Sequence, residues 1–185
     1  MLHRPLFPGT SPEETIRYPI DREIRKHHEC IWISYSHVQT KINRHHHLPK
    51  FVSNHPLAVP SSPWERLKIG AGTPPMLTQH GWLIVYHGVS NSKISTKKTQ
   101  QLIYSAGVMI LDKKNPLNIL YRSLKPILSP DLPEEQVGTV AKVVFPTGID
   151  RRDDIGKPSR FDIYYGIADK CIGVARMDIP DKLPM

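Results

Sequence analysis

The residues best suited to chemistry lie in one short run, Trp64 to Gly88, which reads WERLKIGAGTPPMLTQHGWLIVYHG. Lys68 comes just before Gly70 and Gly72, and two glycines around one small residue let a backbone turn tightly and approach a ligand closely. Thr73-Pro74-Pro75 then imposes an extended exit that excludes helix. Gly81 opens the β-branched and aromatic run Trp82 to Tyr86, which reads as a buried strand ended by His87 and Gly88. A lysine ammonium and a strand-end imidazole beside glycine-rich backbone could together hold an anion such as phosphate. The same pattern fits a surface lysine, a turn and a histidine that only ends a strand. No Gly-Lys-Ser/Thr follows, so the Gly-Ala-Gly turn is not a P-loop.

The elements that must position these residues are short strands. Cys30 to Ser36 alternates and reads as a strand, as do Leu102 to Asp112 and Asn118 to Arg122. Asn115-Pro116 marks a turn, and Pro126, Pro130 and Pro133 predict an extended connector. Val137 to Gly148 holds a strand that ends in a proline-glycine turn; Asp150 to Arg160 is a charged loop. Phe161 to Asp169 and Cys171 to Met177 form a closing hairpin. Ser11-Pro12-Glu13-Glu14 has the form of a capping box with proline at the first helical position. Residues 37–55 read as a loop. Its His45-His46-His47 run, with His27 and His28, is a solvated feature rather than a metal site, because consecutive histidines on one loop cannot all face one ion. Strands with turns every ten residues or so point to an all-β sheet array.

Composition narrows the class. The 185 residues suffice for one core, and 18 prolines with a hydrophobic share of 39% imply many turns. A formal charge of +8 fits an anionic substrate. The positive residues form no basic run with stacking aromatics, so nucleic acid is not the expected partner. No apolar run approaches membrane-spanning length, and MLHRPLFPGT lacks the apolar core of a signal peptide. Cys30 and Cys171, far apart and without metal-type spacing, read as buried free thiols in a reducing, cytoplasmic compartment.

The central stretch resembles glycoside hydrolase family 130, the β-mannoside phosphorylases and related β-mannosidases. The resemblance rests on Trp64, Lys68-Ile69-Gly70, Gly72, Pro74-Pro75, Gly81-Trp82-Leu83 and Tyr86-His87-Gly88-Val89. It continues through Tyr104 with Gly107, Leu111-Asp112, Arg122-Ser123, Pro126 with Leu128 and Pro130, Glu135 with Gly138, Val143 to Pro146 with Gly148, and Tyr164 to Gly166 with Ala168-Asp169. Lys142 stands where the family commonly has asparagine, and Asn115 where it has aspartate. Segments near 10–29, 37–55 and 150–160 look like insertions.

The resemblance implies a five-bladed β-propeller, with residues 1–185 forming one partial domain of about the last three blades. It implies an inverting β-mannoside phosphorylase, in which inorganic phosphate is co-substrate and no cofactor is needed. Arg4, from the segment Leu2-His3-Arg4-Pro5, matches a phosphate ligand, as do Lys68 and His87. Retention of all three favours phosphorolysis over hydrolysis of the same β-linked mannoside oligosaccharides. Asp169 matches an aspartate expected on the sugar hydroxyls, or is a turn residue. Trp82 and Tyr86 read as core, and Glu135 as a sugar contact or a surface carboxylate. The family's general acid falls upstream of Met1, so no catalytic residue is assigned here. The expected partner is an upstream-encoded N-terminal half or a second copy; the remaining alternative is a non-catalytic remnant or a sugar/phosphate-binding module.

Overall fold

A computed structural model describes residues 1–3, 30–36, 51–91 and 101–184. Arg4, the predicted turn at Ser11 to Glu14, and His27, His28 and His45 to His47 lie outside the described residues. Eleven strands are described: β1 (Leu2–His3), β2 (Ile31–Ser36), β3 (Phe51–Ala58), β4 (Lys68–Gly70), β5 (Met76–Leu77), β6 (Trp82–Asn91), β7 (Leu102–Leu111), β8 (Ile119–Arg122), β9 (Val144–Arg151), β10 (Arg160–Ile167) and β11 (Cys171–Asp178). They form three antiparallel sheets, ordered β1-β2-β3, β4-β6-β7-β8 with β5 also on β6, and β11-β10-β9. The nearly all-β reading holds. Among the described residues the one α-helix is the short α1 (Pro133–Gln136), and no helix is long and apolar enough to cross a membrane.

The central hairpin β6–β7 is apolar on both faces, as a sheet covered on both sides must be. Leu83, Val85, Ala106, Val108 and Ile110 pack with Val144, Phe161, Ile163 and Tyr165 of the third sheet. Ile84, Tyr86, Met109 and Leu111 pack with Ile31 and Ala58 of the first. This explains why the run around Trp82 lacks polar alternation.

Several sequence expectations need correction. The strand at Trp82 does not end at His87-Gly88 but runs to Asn91, paired throughout with β7. Gly88 is an interior glycine: a Cβ there would lie 2.5 Å from the Trp64 ring, so the residue admits the indole instead of ending the strand. Residues 51–55 belong to β3, whose Pro56 is tolerated because β3 is an edge strand. Pro146 and Gly148 likewise sit inside β9, which among the described residues pairs only with β10 and shifts register opposite Tyr164/Tyr165. The proline connector contains α1, with Pro133 at its start and the Glu135 carboxylate accepting from the Leu132 N–H at 2.9 Å. Cys30 is buried, and burial pushes its thiol pKa up, but Cys171 is exposed.

Glu65 has no exposed surface, and its charge is fully engaged. Its Oε1 accepts from Ser61 N and Oγ, both at 2.9 Å, from Ser62 N at 3.1 Å and from Arg122 Nη2 at 2.7 Å. Its Oε2 accepts from the Tyr86 hydroxyl at 2.7 Å. Arg122 also donates to Val59 O at 2.8 Å. The tie fastens residues 59–65 across the first-sheet side of β6, β7 and β8. Removing one partner of a buried pair strands the other, so Glu65→Ala is expected to cost about 3–5 kcal/mol in denaturant unfolding.

Tyr165 donates to Glu135 Oε1 at 2.9 Å, and burial, then this carboxylate, push its pKa up to about 12. Burial first, then Glu65, raise that of Tyr86, against the opposing pull of Arg122. A group with a raised folded pKa contributes its full stability below the unfolded value, about 10 for tyrosine, and loses it as pH rises through the folded one. Unfolding free energy should therefore fall between about pH 10 and 12, and less steeply in Tyr165→Phe, as read by chemical denaturation across that window.

Candidate functional site

Antiparallel register sets the site. β4 pairs with β6 so that Lys68 lies opposite Val89 and Gly70 opposite His87. On the other side of β6, Tyr104 lies opposite Val89 and Ala106 opposite His87. Directly paired residues share a face, so Lys68, Gly70, His87 and Tyr104 all project from the side facing the third sheet. Lys68 Nζ stands 5.7 Å from the centre of the Tyr104 ring, a cation–π arrangement. The His87 ring centre lies 4.3 Å from that of Phe145 and 6.2 Å from that of Tyr104. Lys68 is half-buried and His87 is 5% exposed.

The glycines of the Gly-Ala-Gly turn have a different role from the one the sequence suggested. Neither Gly70 nor Gly72 has the left-handed backbone that favours glycine. A Cβ on Gly70 would lie 2.4 Å from His87 Cε1 and 2.6 Å from Nε2, so its missing side chain makes room for the imidazole. A Cβ on Gly72 would lie 2.4 Å from Val85 O and 2.9 Å from Pro146. The turn is further pinned by Thr73, whose N–H donates to Val85 O at 2.9 Å while its Oγ1 accepts from Val85 N at 3.0 Å. These glycines make room for protein atoms.

The turn also sets the tautomer of His87. Nδ1 lies 3.1 Å from Ala71 O, and a carbonyl only accepts, so the proton belongs on Nδ1. Nε2 then carries a lone pair in the neutral ring and an N–H in the imidazolium. The cation can donate to a phosphate oxygen, and the neutral ring can accept from a phosphate hydroxyl.

Asp169 sits in the exposed turn between β10 and β11, closed by Lys170 N donating to Ile167 O at 2.9 Å. Ala168 and Asp169 both take left-handed backbone, with φ of 48° and 50°. Lys142 does so too, with φ of 60°. Ala168 N donates to Val143 O at 2.9 Å, and Tyr104 N donates to Lys142 O at 3.0 Å. The Asp169 turn is thus tied through residues 142–143 to the strand end that carries Tyr104. Strained non-glycine backbone of this kind persists where surrounding contacts hold it.

Other candidates fall away from the site. Glu135 is 1% exposed and is held by Tyr165 and the Leu132 N–H, so it is neither a surface carboxylate nor open to sugar. Tyr86 is core and Trp82 packs beside it, its indole N–H donating to Lys113 O at 3.3 Å. Tyr104 and Phe145, which line Lys68 and His87, were not singled out beforehand. The sequence shows them only as positions of the family resemblance; their closeness to His87 needs β7 paired with β6 and β9 packed against it. Among the described residues no group of three His, Cys, Asp or Glu could hold a metal ion.

The His87 ring is wedged against Phe145 and cannot swing away freely. Gly70→Ala should therefore cost about 1–3 kcal/mol, by the strain of overpacking. It should also shift the His87 ring proton resonances, as read by denaturant melts and NMR.

Comparison with known proteins gives the setting. The glycoside hydrolase family 130 model, described as beta-1,4-mannooligosaccharide phosphorylase, matches residues 17–183. A Beta-1,2-mannobiose phosphorylase of a Thermoanaerobacter species is 40% identical over 115 residues, 62% of this chain and 33% of that protein. A Beta-1,4-mannooligosaccharide phosphorylase of Ruminococcus albus is 40% identical over 122 residues, 66% of this chain and 34% of that protein. The chain thus spans about a third of the length of these two relatives. The solved structure of Beta-1,2-Mannobiose phosphorylase from Listeria innocua, in complex with beta-1,2-mannobiose, superposes with a TM-score of 0.64 at 23% identity. It covers 96% of this chain and 39% of that one, and at that identity it speaks for the fold. The chain belongs to glycoside hydrolase family 130.

Proposed function

We propose that this chain supplies the phosphate-holding part of an inverting β-mannoside phosphorylase. The observation that carries the reading is the register of β4 on β6, which puts Lys68 (opposite Val89) on the same face as His87, with Gly70, opposite His87, making room for the imidazole. Both relatives above are named as phosphorylases of β-linked mannose. In the reaction, a phosphate oxygen attacks the anomeric carbon while the glycosidic C–O bond breaks on the opposite face. The leaving oxygen takes a proton from a carboxylic acid, and the products are α-mannose 1-phosphate and the shortened sugar. Lys68, His87 and Arg4 hold the phosphate dianion against the developing oxocarbenium charge. Asp169 contacts mannose hydroxyls. The reading assigns the general acid to none of these 185 residues, and an N-terminal portion outside them completes the site.

Three successive sheets stacked face to face fit about the last three blades of a five-bladed propeller. The outer face of the third sheet fits a missing neighbour, since it leaves Ile172 78% and Val174 57% exposed beside Tyr164. A cytoplasmic location fits the two free cysteines.

The test is phosphate-dependent release of mannose 1-phosphate from β-mannosides, run on the chain alone and with any upstream-encoded polypeptide. Activity is expected only with the second polypeptide, and Lys68→Ala should reduce it about a hundredfold or more. Release of free mannose without phosphate would make the protein a hydrolase. A Lys68→Ala variant as active as the parent would remove the anion from this site.

A further inference from the structure

The end of the stack away from Lys68 carries a concavity. Lys68 and Tyr104 lie beside Val89, near the end of β6, whereas Trp82 pairs with Leu111 at its start. There, beside the junction of Arg151 with Phe161, opens a cleft of about 320 Å³. Its lining includes Leu77, Lys113, Arg151, Ser159, Phe161 and Ile179. Phe161 and Ile179 are buried and supply an apolar wall.

Arg151 is held in place yet incompletely bonded. One guanidinium N–H donates to Leu77 O, and the guanidinium carbon lies 5.5 Å from the centre of the Phe161 ring. Its Nε is buried and has no hydrogen-bond partner. Buried N–H groups in native proteins almost always find an acceptor, because leaving one unpaired forfeits its hydration. The lining holds two cations, Lys113 and Arg151, and no carboxylate. Neighbouring aspartates are already committed: Asp162 to Arg152 and Arg176, Asp154 to Arg152, and Asp178 to Arg160. None of these contacts belongs to the phosphate-holding face.

We infer that this cleft is a second anion site, taking a small oxyanion, phosphate or carboxylate, whose charge the Arg151 guanidinium and the Lys113 ammonium offset. An ammonium and a guanidinium in one lining suit a group with several acceptor oxygens, and the cleft has room for a compact body attached to it. The site is independent of the mannoside reaction.

The experiment is calorimetric titration of inorganic phosphate and, separately, acetate into the full chain carrying Lys68→Ala, which disables the other end. Both anions should still bind. Adding Arg151→Met or Lys113→Gln should each weaken binding about tenfold, the loss of one charge-assisted hydrogen bond. Lys113 is exposed, so Lys113→Gln keeps the test valid if Arg151→Met fails to fold. Phosphate binding with acetate excluded would narrow the ligand to phosphate esters; equal binding would mark a general oxyanion site. Absence of anion binding in folded Lys68→Ala, or affinity unchanged in the added variants, overturns the inference. If Lys68→Ala binds as many phosphates as the parent, the phosphorylase reading fails and this one stands.

Discussion

A single buried carboxylate fixes where the site begins. Glu65 lies under the loop before β4 with both oxygens engaged, and an unpaired charge there would be costly. Satisfying it requires Arg122 from β8, Tyr86 from β6 and the backbone of residues 61–62 to converge on one point. That convergence seats Trp64 across Gly88 and Gly107, where any Cβ would collide with the indole. With Trp64 seated, the chain enters β4 in the one register that sets Gly70 against His87. A slip of one residue would turn Lys68 to the opposite face. The placement of Lys68 on the His87 face is thus downstream of an ion pair on the other side of the sheet.

The two faces of β6 divide the labour. Tyr86 and Gly88 look toward the first sheet and carry the structural tie, while Val85 and His87 look toward the third and carry the core and the imidazole. Alternation lets one strand do both, provided both neighbouring sheets are present. It also explains why a single histidine is almost fully buried yet stays polar in function: its ring is clamped by Phe145, the missing Cβ of Gly70 and the Ala71 carbonyl.

Much of this was legible in the sequence where local chemistry and tertiary demand agree. Leu102 to Leu111 is apolar and β-branched enough to read as a strand, and the Asp112–Asn118 turn carries its own side-chain bonds, Asp112 accepting from Lys114 and Asn115. Reading failed where a residue obeys a distant contact. Gly88 looks like a terminator and is an indole seat; Pro146 and Pro56 look like breakers and lie in edge strands. Glu135 looks like a surface carboxylate, because nothing local reveals that Tyr165, thirty residues on, will bury it. In the site, Lys68 and His87 were visible as residue types in a motif. Tyr104 and Phe145 were not, since their closeness to His87 exists only once β6 has paired with β7 and packed against β9.

The tautomer constraint reaches furthest into function. With Nδ1 donating to Ala71 O, the character of His87 Nε2 follows the charge of the ring. In the proposed role, a fully ionised phosphate would accept from Nε2 only when the imidazole is protonated, and such an anion would itself favour that protonation, since opposite charges raise the pKa of a base. A monoprotonated phosphate would reverse the bond, donating its hydroxyl to Nε2. The proposed site would therefore accept either ionisation state by moving one proton, without moving a heavy atom. It could not do so if the Ala71 carbonyl were turned away and Nδ1 were free to change places with Nε2.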